Sequence, residues 1–521
     1  MESLSDIIWD VIICGTGLQQ SLLALALSRS DKKILHIDPN GYYGSTEAAF
    51  FSLQEVKDWA AGVAAATDSS KIFSAATAAF TTKEGEAGLS NPRGYALTLS
   101  PQLIHANSTL LSQLVSSRAF RQLEFLAVGS FFVFNPAAST SSITRIPSTR
   151  EDVFSTTALS ARAKRQLMKF LKLVLSHQDE SSLPQWQEYG AKPLADFLTQ
   201  KLSLDRDLIT YVIALTLSLD GRISTKDGLQ AIHRHLTSMG KLGPGFAAVY
   251  PKWGGGSEIA QVGCRASAVG GGTYMLGTGY KKVTKSEVVE GEVADSDRLL
   301  EIELTDDTVV KTKMFVRGPE TVFPNGTGSD KDTVKMSRLV AVVDAPLTHL
   351  FEITMEGAPT PAVAVIALPP GSMKADNSKV ESESTYPIYV IVHSSDTGEC
   401  PTGQSILYLN TVHTLESKSL LEETITSLLV ALTPEDGAGA APRCLYQLYY
   451  EQTACTKPEV AEDEHGLVFA STPNSLTFDD EILDSVQQVW QKVMGEAVEA
   501  KDVQYMVFTD REGVGEDDDY E

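Results

Sequence analysis

The sequence predicts an α/β protein, in which a large domain with a Rossmann-like sheet is interrupted by an inserted all-helical domain. Three observations lead to this fold class. The chain opens with a strand, a glycine-rich turn, a helix and a second strand. Between Val153 and Met239, strand-like runs are nearly absent and the helical spacing of apolar residues dominates. After Gly243-Pro244-Gly245 the pattern returns to strands and hairpins.

The opening segment is one βαβ unit. Residues 9–13 form the first strand, the apolar run 18–27 forms the helix and residues 33–38 form the second strand. Glycines at such a turn let backbone amides approach a pyrophosphate, and an acidic residue after the second strand binds the ribose. Gly15, Gly17 and Asp38 therefore match most of an FAD/NAD(P)-binding motif.

The segment after it predicts the inserted helical domain. Residues 208–219 are apolar and too few to span a bilayer, so they predict a buried helix. The large domain then comprises residues 1–150 and 243–510, the helical domain residues 151–242, and residues 511–521 an acidic, disordered tail. Apolar residues at helical spacing include Leu159, Ala163, Leu167, Phe170, Leu171 and Val174.

The remaining elements follow from local patterns. Residues 300–304 and 309–316 predict a hairpin, residues 389–393 and 405–409 predict strands, and residues 479–494 predict a closing amphipathic helix. The stretch 60–88 is rich in Ala, Thr, Ser and Gly without sustained periodicity. We expect it to be a surface insertion that contributes little to the mechanism.

Composition excludes several classes of function. A net charge of −24 over 521 residues argues against nucleic-acid binding, because polyphosphate is held by Lys and Arg. The five cysteines are scattered singly, which predicts neither a disulfide framework nor a zinc site. Acidic residues precede the first apolar run, unlike a signal peptide. These features predict a cytosolic protein.

The dinucleotide motif has a defect. The third glycine, which allows close packing of the helix on the strand, would fall at position 20, where the chain has Gln20 preceded by Gln19. A Gly-Asp pair that would bind a flavin ribityl chain is also absent from the sequence. The motif thus indicates the fold more strongly than a bound cofactor, and no cofactor is expected.

Other catalytic patterns are missing. The sequence contains no HExxH, no P-loop and no GxSxG. His233 and His235 are two residues apart and cannot face each other on a helix, so they are predicted to be surface or cap histidines. No metal site and no catalytic residue are predicted.

Two separate regions resemble one family. Residues 10–17 (DVIICGTG), 33–38 (KILHID) and 40–44 (NGYYG) resemble the first conserved region of the Rab GDI and Rab escort protein superfamily. Residues 250–275 (YPKWGGGSEIAQVGCRASAVGGGTYM) resemble its second conserved region. The resemblance implies a GDI-type fold without flavin that carries a platform for a Rab GTPase. That platform would consist of Tyr43, Glu258, Gln261, Arg265, Thr273 and Met275.

The helical domain separates the two subfamilies. Escort-type members bind the α subunit of Rab geranylgeranyl transferase through a Phe in an Asp-Val-Phe sequence and an Arg eleven residues later. Asp152-Val153-Phe154 and Arg165 match that interval. Arg165 belongs to a basic helix face in an otherwise acidic chain, and a solvated face is the alternative interpretation.

The resemblance implies a carrier rather than an enzyme. It would bind GDP-bound Rab, present it to the α/β heterodimer of the transferase, and bring the geranylgeranylated product to membranes by transient contact. A groove for the lipid is predicted in the helical domain at Leu167, Phe170, Leu171 and Val174, although these residues are equally consistent with plain core. A GDI that recycles prenylated Rabs and a flavin oxidoreductase remain alternatives.

Overall fold

The fold is that of a computed structural model, which describes residues 4–66, 72–81, 88–136, 142–147, 152–153, 159–285, 299–318, 333–375, 382–433, 441–495 and 503–509. Its helices are α1 (Leu18–Leu27), α2 (Leu53–Ala65), α3 (Thr109–Ser116), α4 (Ala161–Leu175), α5 (Leu183–Trp186), α6 (Leu194–Gln200), α7 (Arg206–Thr216), α8 (Thr225–Ser238), α9 (Gly256–Val269), α10 (Ser417–Ala431) and α11 (Glu481–Met494).

Its strands, in chain order, are β1 (Ile8–Trp9), β2 (Val11–Cys14), β3 (Ile34–Asp38), β4 (Ala49–Phe50), β5 (Phe73–Phe80), β6 (Leu97–Thr98), β7 (Ile104–His105), β8 (Phe125–Phe134), β9 (Ile143–Arg145), β10 (Ala248–Pro251), β11 (Thr273–Leu276), β12 (Tyr280–Lys285), β13 (Leu300–Leu304), β14 (Val309–Thr312), β15 (Phe315–Arg317), β16 (Thr333–Val343), β17 (Val363–Leu368), β18 (Lys374–Ala375), β19 (Ser382–Glu383), β20 (Ile388–Ser394), β21 (Ser405–Val412), β22 (Cys444–Cys455), β23 (Val460–Asp463) and β24 (Gly466–Phe469).

The first sheet is Rossmann-like. Strands β11, β3, β2, β15 and β24 run parallel in that order, and β23 is antiparallel to β24. Strand β2 is buried on both faces, as parallel strands usually are. Val11 and Ile13 pack toward α1, α9 and α11, whereas Ile12 and Cys14 face a second core shared with the sheet β1-β14-β13-β12. This arrangement confirms the predicted α/β fold.

A larger sheet forms the rest of the α/β body. Its strand order is β5-β22-β16-β21-β20-β17-β8-β10-β7, with β9 paired to β8. Helix α10 covers one face, and α2 and the C-terminal end of α7 contribute to the core on the other. Because α9 follows β10 of this sheet and packs on α1 of the first, it joins the two sheets.

Helices α4 to α8 form a cluster around their own core. Helix α4 begins after Ser160, whose hydroxyl accepts a hydrogen bond from the backbone of Ala163 at 3.1 Å. Its buried side includes Leu167 and Phe170, which pack on residues of α6, α7 and α8. Helices α7 and α8 lie against β8 and β7 of the large sheet. The predicted buried helix at 208–219 is α7, which ends at Thr216.

Two predicted strands are in fact pairs of strands. Residues 9–13 belong to β1 and β2, which lie in different sheets, and Asp10 between them accepts a hydrogen bond from the backbone of Lys33 at 2.8 Å. Residues 309–316 are likewise divided between β14 and β15. The alternation of side chains along one extended segment does not show where the chain passes from one sheet to the next.

The prediction of a surface insertion at 60–88 is wrong for its described residues. Helix α2 continues to Ala65, and β5 pairs with β22 at the edge of the large sheet. Ala76 is 2% exposed, and Trp59 packs edge-on against Phe73. The hydrophobic periodicity of this stretch was hard to detect, because alanine and threonine differ little in hydrophobicity from their polar neighbours. Residues 67–71, 82–87 and the predicted tail at 511–521 lie outside the described residues.

Candidate functional site

The glycine-rich turn after β2 is filled by a side chain of the protein itself. Gly15 has a φ of +94°, and Gly17 precedes α1. A methyl group built on Gly15 or Gly17 would lie 3.0 or 2.9 Å from the amide of Gln20, and one on Gly318 would overlap with it. The Gln20 amide therefore occupies the space in which a dinucleotide fold holds its pyrophosphate.

The acidic residue of the motif, Asp38, is hydrogen-bonded within the protein itself. Asp38 is 1% exposed and accepts hydrogen bonds from the backbone and hydroxyl of Thr16 at 2.6 and 2.7 Å, and from the backbone of Asn40 at 2.7 Å. Burial raises the pKa of Asp38, and these hydrogen bonds oppose the shift. The residues at this turn therefore do not fit a bound flavin, which the fold alone would suggest.

Helix α9 carries three of the predicted Rab contacts on one side. Glu258, Gln261 and Arg265 are spaced by three and four residues, which places them along one face. Burial raises the pKa of the half-buried Glu258, and the nearby Arg265 opposes that shift. Burial likewise raises the pKa of Tyr43, and Arg265 again opposes the shift. The structure thus brings Tyr43, Glu258 and Arg265 together.

The two remaining predicted Rab contacts, Thr273 and Met275, lie on the face of the sheet edge opposite to α9. Thr273 and Met275 are on β11, the edge strand of the Rossmann-like sheet. Met275 is paired with Ile37 and packs on the core shared with the four-stranded sheet. Tyr274 between them points toward Cys264 and Ser267 of α9, and its hydroxyl lies 2.7 Å from Nδ1 of His36 on β3. The six predicted residues therefore lie on both sides of this sheet edge, and their role as one Rab-binding platform stays a prediction.

A buried carboxylate supports the segment that enters α9, and no sequence pattern pointed to it. Glu399 is fully buried and accepts hydrogen bonds from the hydroxyls of Tyr250 at 2.7 Å and Tyr408 at 2.8 Å. Nδ1 of the buried His393 lies 2.7 Å from its second oxygen. His393 and Tyr408 lie six and nine residues from Glu399, whereas Tyr250 is 149 residues away and reaches the carboxylate only through the fold.

Trp253 is a second residue that sequence reasoning missed. It has a φ of +69°, unusual for a bulky residue, and its side chain is 47% exposed. Any side chain on Gly398 would collide with the ring, and the Lys252 ammonium lies 5.0 Å from its centre. The glycines that follow it, Gly254 and Gly255, were the available hint of a strained turn.

Of the two predicted transferase contacts, Arg165 lies on α4. Phe154 lies outside the described residues. Arg165 is exposed on α4, and its Nε donates a hydrogen bond to the carbonyl of Ala161 at 3.2 Å. Lys169 and Lys172 are exposed on the same helix.

A cavity of about 970 Å³ opens between α4, α7 and α8. Three of the four predicted groove residues line it: Leu167, Phe170 and Leu171. Val174 does not line it and is fully buried in the core of the helical cluster, so its prediction as a lining residue is wrong. Its other walls come from residues that include Tyr211, Val212, Leu215, Ile232, Leu236 and Met239.

One buried histidine forms part of the cavity wall. His235 is 3% exposed and packs against Phe131 and His105, and its Nδ1 has no hydrogen-bond partner among the residues that the structure describes. Burial lowers the pKa of His235 to about 4. The prediction of a surface or cap histidine is wrong here, because α8 packs this side against the large sheet.

The described part of the chain has neither a metal-binding cluster nor a membrane-spanning helix. No group of His, Cys, Asp and Glu there could hold a metal ion. None of its helices combines the length and apolarity needed to cross a membrane. None of the five cysteines, which all lie among the described residues, forms a disulfide.

Residues 5–355 match the family model of the GDP dissociation inhibitors. Three curated relatives are similar in sequence. The Rab proteins geranylgeranyltransferase component A of Saccharomyces cerevisiae is 26% identical over 93% of this chain and 84% of its own. That of Candida albicans is 30% identical over 81% of this chain and 62% of its own. The Rab GDP dissociation inhibitor beta of Canis lupus familiaris is 28% identical over 56% of this chain and 62% of its own.

Solved structures show the same fold. A Rab GDI from Plasmodium falciparum superposes with a TM-score of 0.60 at 19% identity, covering 93% of this chain and 98% of that chain. An oxidoreductase from Methanosarcina mazei superposes with a TM-score of 0.55 at 13% identity, covering 92% and 99%. At these identities the likeness concerns the fold alone.

Proposed function

The chain belongs to the GDP dissociation inhibitor family, and from this premise we propose that it is a Rab escort protein. In this role it binds newly made GDP-bound Rab, presents it to the catalytic subunits of Rab geranylgeranyl transferase and carries the prenylated product to membranes. The proposal is supported by how much of this chain aligns with each kind of relative. The component A relative aligns over 93% of this chain, whereas the GDI relative aligns over 56%.

The Rab contact would centre on the start and middle of α9. Tyr43 and Gln261 supply adaptable polar and aromatic contact, while Glu258 and Arg265 determine the charge pattern that a partner must match. Thr273 and Met275 would touch the partner only where it reaches over the edge at β11. The Glu399 cluster keeps the entry to α9 in place.

The transferase contact would lie on α4. Arg165 is exposed, as an interface residue must be before binding, and Phe154 precedes the helix in the sequence. Holding the Rab on one site and the transferase on the other raises the effective concentration of the Rab C-terminus at the catalytic subunits. The carrier itself needs no acid, base or nucleophile for this task.

The cavity beside α4 would shelter the geranylgeranyl group after transfer. A volume of about 970 Å³ is at the upper end of the range of small-molecule pockets. Each methylene removed from water contributes about 0.8 kcal/mol, so an apolar cavity of this kind holds a long prenyl chain firmly.

The decisive experiment is Rab geranylgeranylation in vitro. Purified transferase subunits, an unprenylated Rab and labelled geranylgeranyl diphosphate are combined with and without this protein. We expect incorporation to depend on its addition. If incorporation is independent of it, while the protein extracts prenylated Rab from membranes, the alternative of a GDI is correct.

Two single variants assign the sites. Arg265→Ala should weaken Rab binding, and Arg165→Ala should weaken transferase binding, each by about 2 kcal/mol or more if the residue is a hot spot. Lys201→Ala, which removes a positive charge from an exposed position in the same helical cluster, serves as the control. Affinities equal to that of the unsubstituted protein would refute the assignment of the residue concerned.

The oxidoreductase alternative has a direct test. Since Gln20 fills the turn, the purified protein should be colourless and show no flavin absorbance. A yellow protein with bound flavin would contradict this expectation.

A further inference from the structure

The apolar cavity beside α4 has a charge pattern that a neutral lipid does not require. Its lining includes the ammonium-bearing Lys169 and Lys172 and the buried His235, but no Asp or Glu from the described residues. The chain as a whole carries 67 acidic residues against 43 basic ones. The charged side chains that line the cavity are therefore all basic, unlike those of the protein as a whole.

The two lysines are placed to act together. They are three residues apart and exposed, so their side chains leave α4 on the same side. Neither forms an ion pair with any residue that the structure describes. Two neighbouring unpaired ammonium groups repel each other, and an anion between them would remove that repulsion.

The wall behind them is apolar. Leu171 and Met168 on α4 and Leu215 on α7 line the cavity, and Leu175 at the end of α4 is 57% exposed. A ligand with a long hydrocarbon chain and a charged head would place its chain against these residues and its head near Lys169 and Lys172. A prenyl group linked to a cysteine by a thioether has no such head.

We propose that this cavity also binds a free prenyl diphosphate, with the hydrocarbon chain inside and the diphosphate held by Lys169 and Lys172. The inference rests on the lipid-binding part of the proposed function and adds an anionic ligand to it. No bond is made or broken in this binding step. A bound prenyl diphosphate would compete with a prenylated Rab for the cavity.

Direct binding to the full-length protein tests the proposal. Geranylgeranyl diphosphate and geranylgeraniol share a chain and differ in the head, so their dissociation constants are compared by calorimetry. We expect the diphosphate to bind about tenfold more tightly, as charge-assisted contacts of this kind imply. The preference should disappear at about 1 M salt, where exposed charges are screened.

The matched variants are Lys169→Gln/Lys172→Gln and Lys201→Gln/Lys226→Gln. The first pair should bind both ligands equally, and the second pair, which removes two charges away from the cavity, should keep the preference. Equal binding of alcohol and diphosphate to the unsubstituted protein would overturn this inference while leaving the lipid cavity intact. If neither ligand binds, the lipid-binding part of the proposed function fails as well. Binding to anionic vesicles without binding of the soluble diphosphate would also overturn the inference and assign the lysines to a membrane surface.

Discussion

At the scale of single residues, the hydrogen bonds of Glu399 hold the segment before α9. Tyr250 and Tyr408 donate to its two carboxylate oxygens, and all three side chains are buried. A buried carboxylate oxygen that loses its donor keeps the cost of leaving water. The position of the segment that enters α9 therefore depends on residues that are buried inside the protein.

Tyr250→Phe tests this dependence. We expect a loss of about 1–3 kcal/mol in the free energy of unfolding, since one oxygen of Glu399 is left without its donor. Urea denaturation measures it. Tyr446→Phe is the control, because the buried Tyr446 hydroxyl has no hydrogen-bond partner among the described residues and its removal should cost little. Equal losses in the two variants would contradict the role given to Glu399.

His235 gives the protein a predicted dependence on pH. Burial lowers the pKa of His235 to about 4, below the value near 6.5 of an unfolded histidine. As the pH falls, this histidine is protonated in the unfolded chain before it is protonated in the folded one. The free energy of unfolding therefore decreases as the pH drops from about 6.5 to about 4. The full effect is about 3 kcal/mol for such a difference in pKa.

His235→Leu should remove this contribution. The slope of the unfolding free energy between pH 6.5 and 4 should become shallower, as followed by denaturant titration at each pH. The buried His36, whose pKa burial also lowers to about 4, should keep part of the slope in that variant. The control is His465→Gln, at a partly exposed histidine. An unchanged slope in His235→Leu would show that this imidazole does not titrate as a buried group.

At the scale of elements, helix α4 has two apolar sides, one that packs in the core of the helical cluster and one that lines the cavity. Val174 is fully buried in the core of the helical cluster, whereas Leu171 is partly exposed in the cavity. The spacing of apolar residues predicts a helix but cannot distinguish these two sides. Packing against α6, α7 and α8 decides which side faces protein and which faces empty space.

A pair of substitutions separates the two sides. Leu171→Trp should fill part of the cavity and abolish prenyl binding with little loss of stability, because the side chain is not enclosed. Val174→Ala should instead lower the free energy of unfolding by about 1 kcal/mol or more, as core truncations do, and leave prenyl binding intact. Binding of a prenyl ligand and urea denaturation are measured for both. If Val174→Ala alone lost the ligand, the lining assigned to the cavity would be incorrect.

At the scale of the whole molecule, the proposed sites belong to different cores. Helices α4 to α8 have their own core, and α9 packs with α1 and α11 in another. The contacts between the helical cluster and the large sheet include α7 on β8 and α8 on β7. Binding at one site can therefore be observed separately from binding at the other.

Hydrogen exchange should show this separation. A prenyl ligand should protect amides in α4, α7 and α8, whereas an unprenylated Rab should protect α9 and β11. Exchange measured by mass spectrometry on the full chain gives both patterns, and α10, which packs in a separate core on the large sheet, serves as the internal control. Protection of α9 by the lipid alone would mean that the two sites are coupled.

The sequence by itself determined the α/β fold, the helical insertion and the family, because these depend on local periodicity and on the spacing of a few motifs. The turn at Gly15 and Gly17 and the helix at α1 follow from such local rules. The tertiary structure alone decided that Gln20 fills that turn, that Thr273 and Met275 face away from α9, and that Val174 is core rather than lining. The Glu399 cluster and the cavity with its two lysines join residues that are distant in the chain. Contacts of that kind come from how elements pack, and no local pattern of residues encodes them.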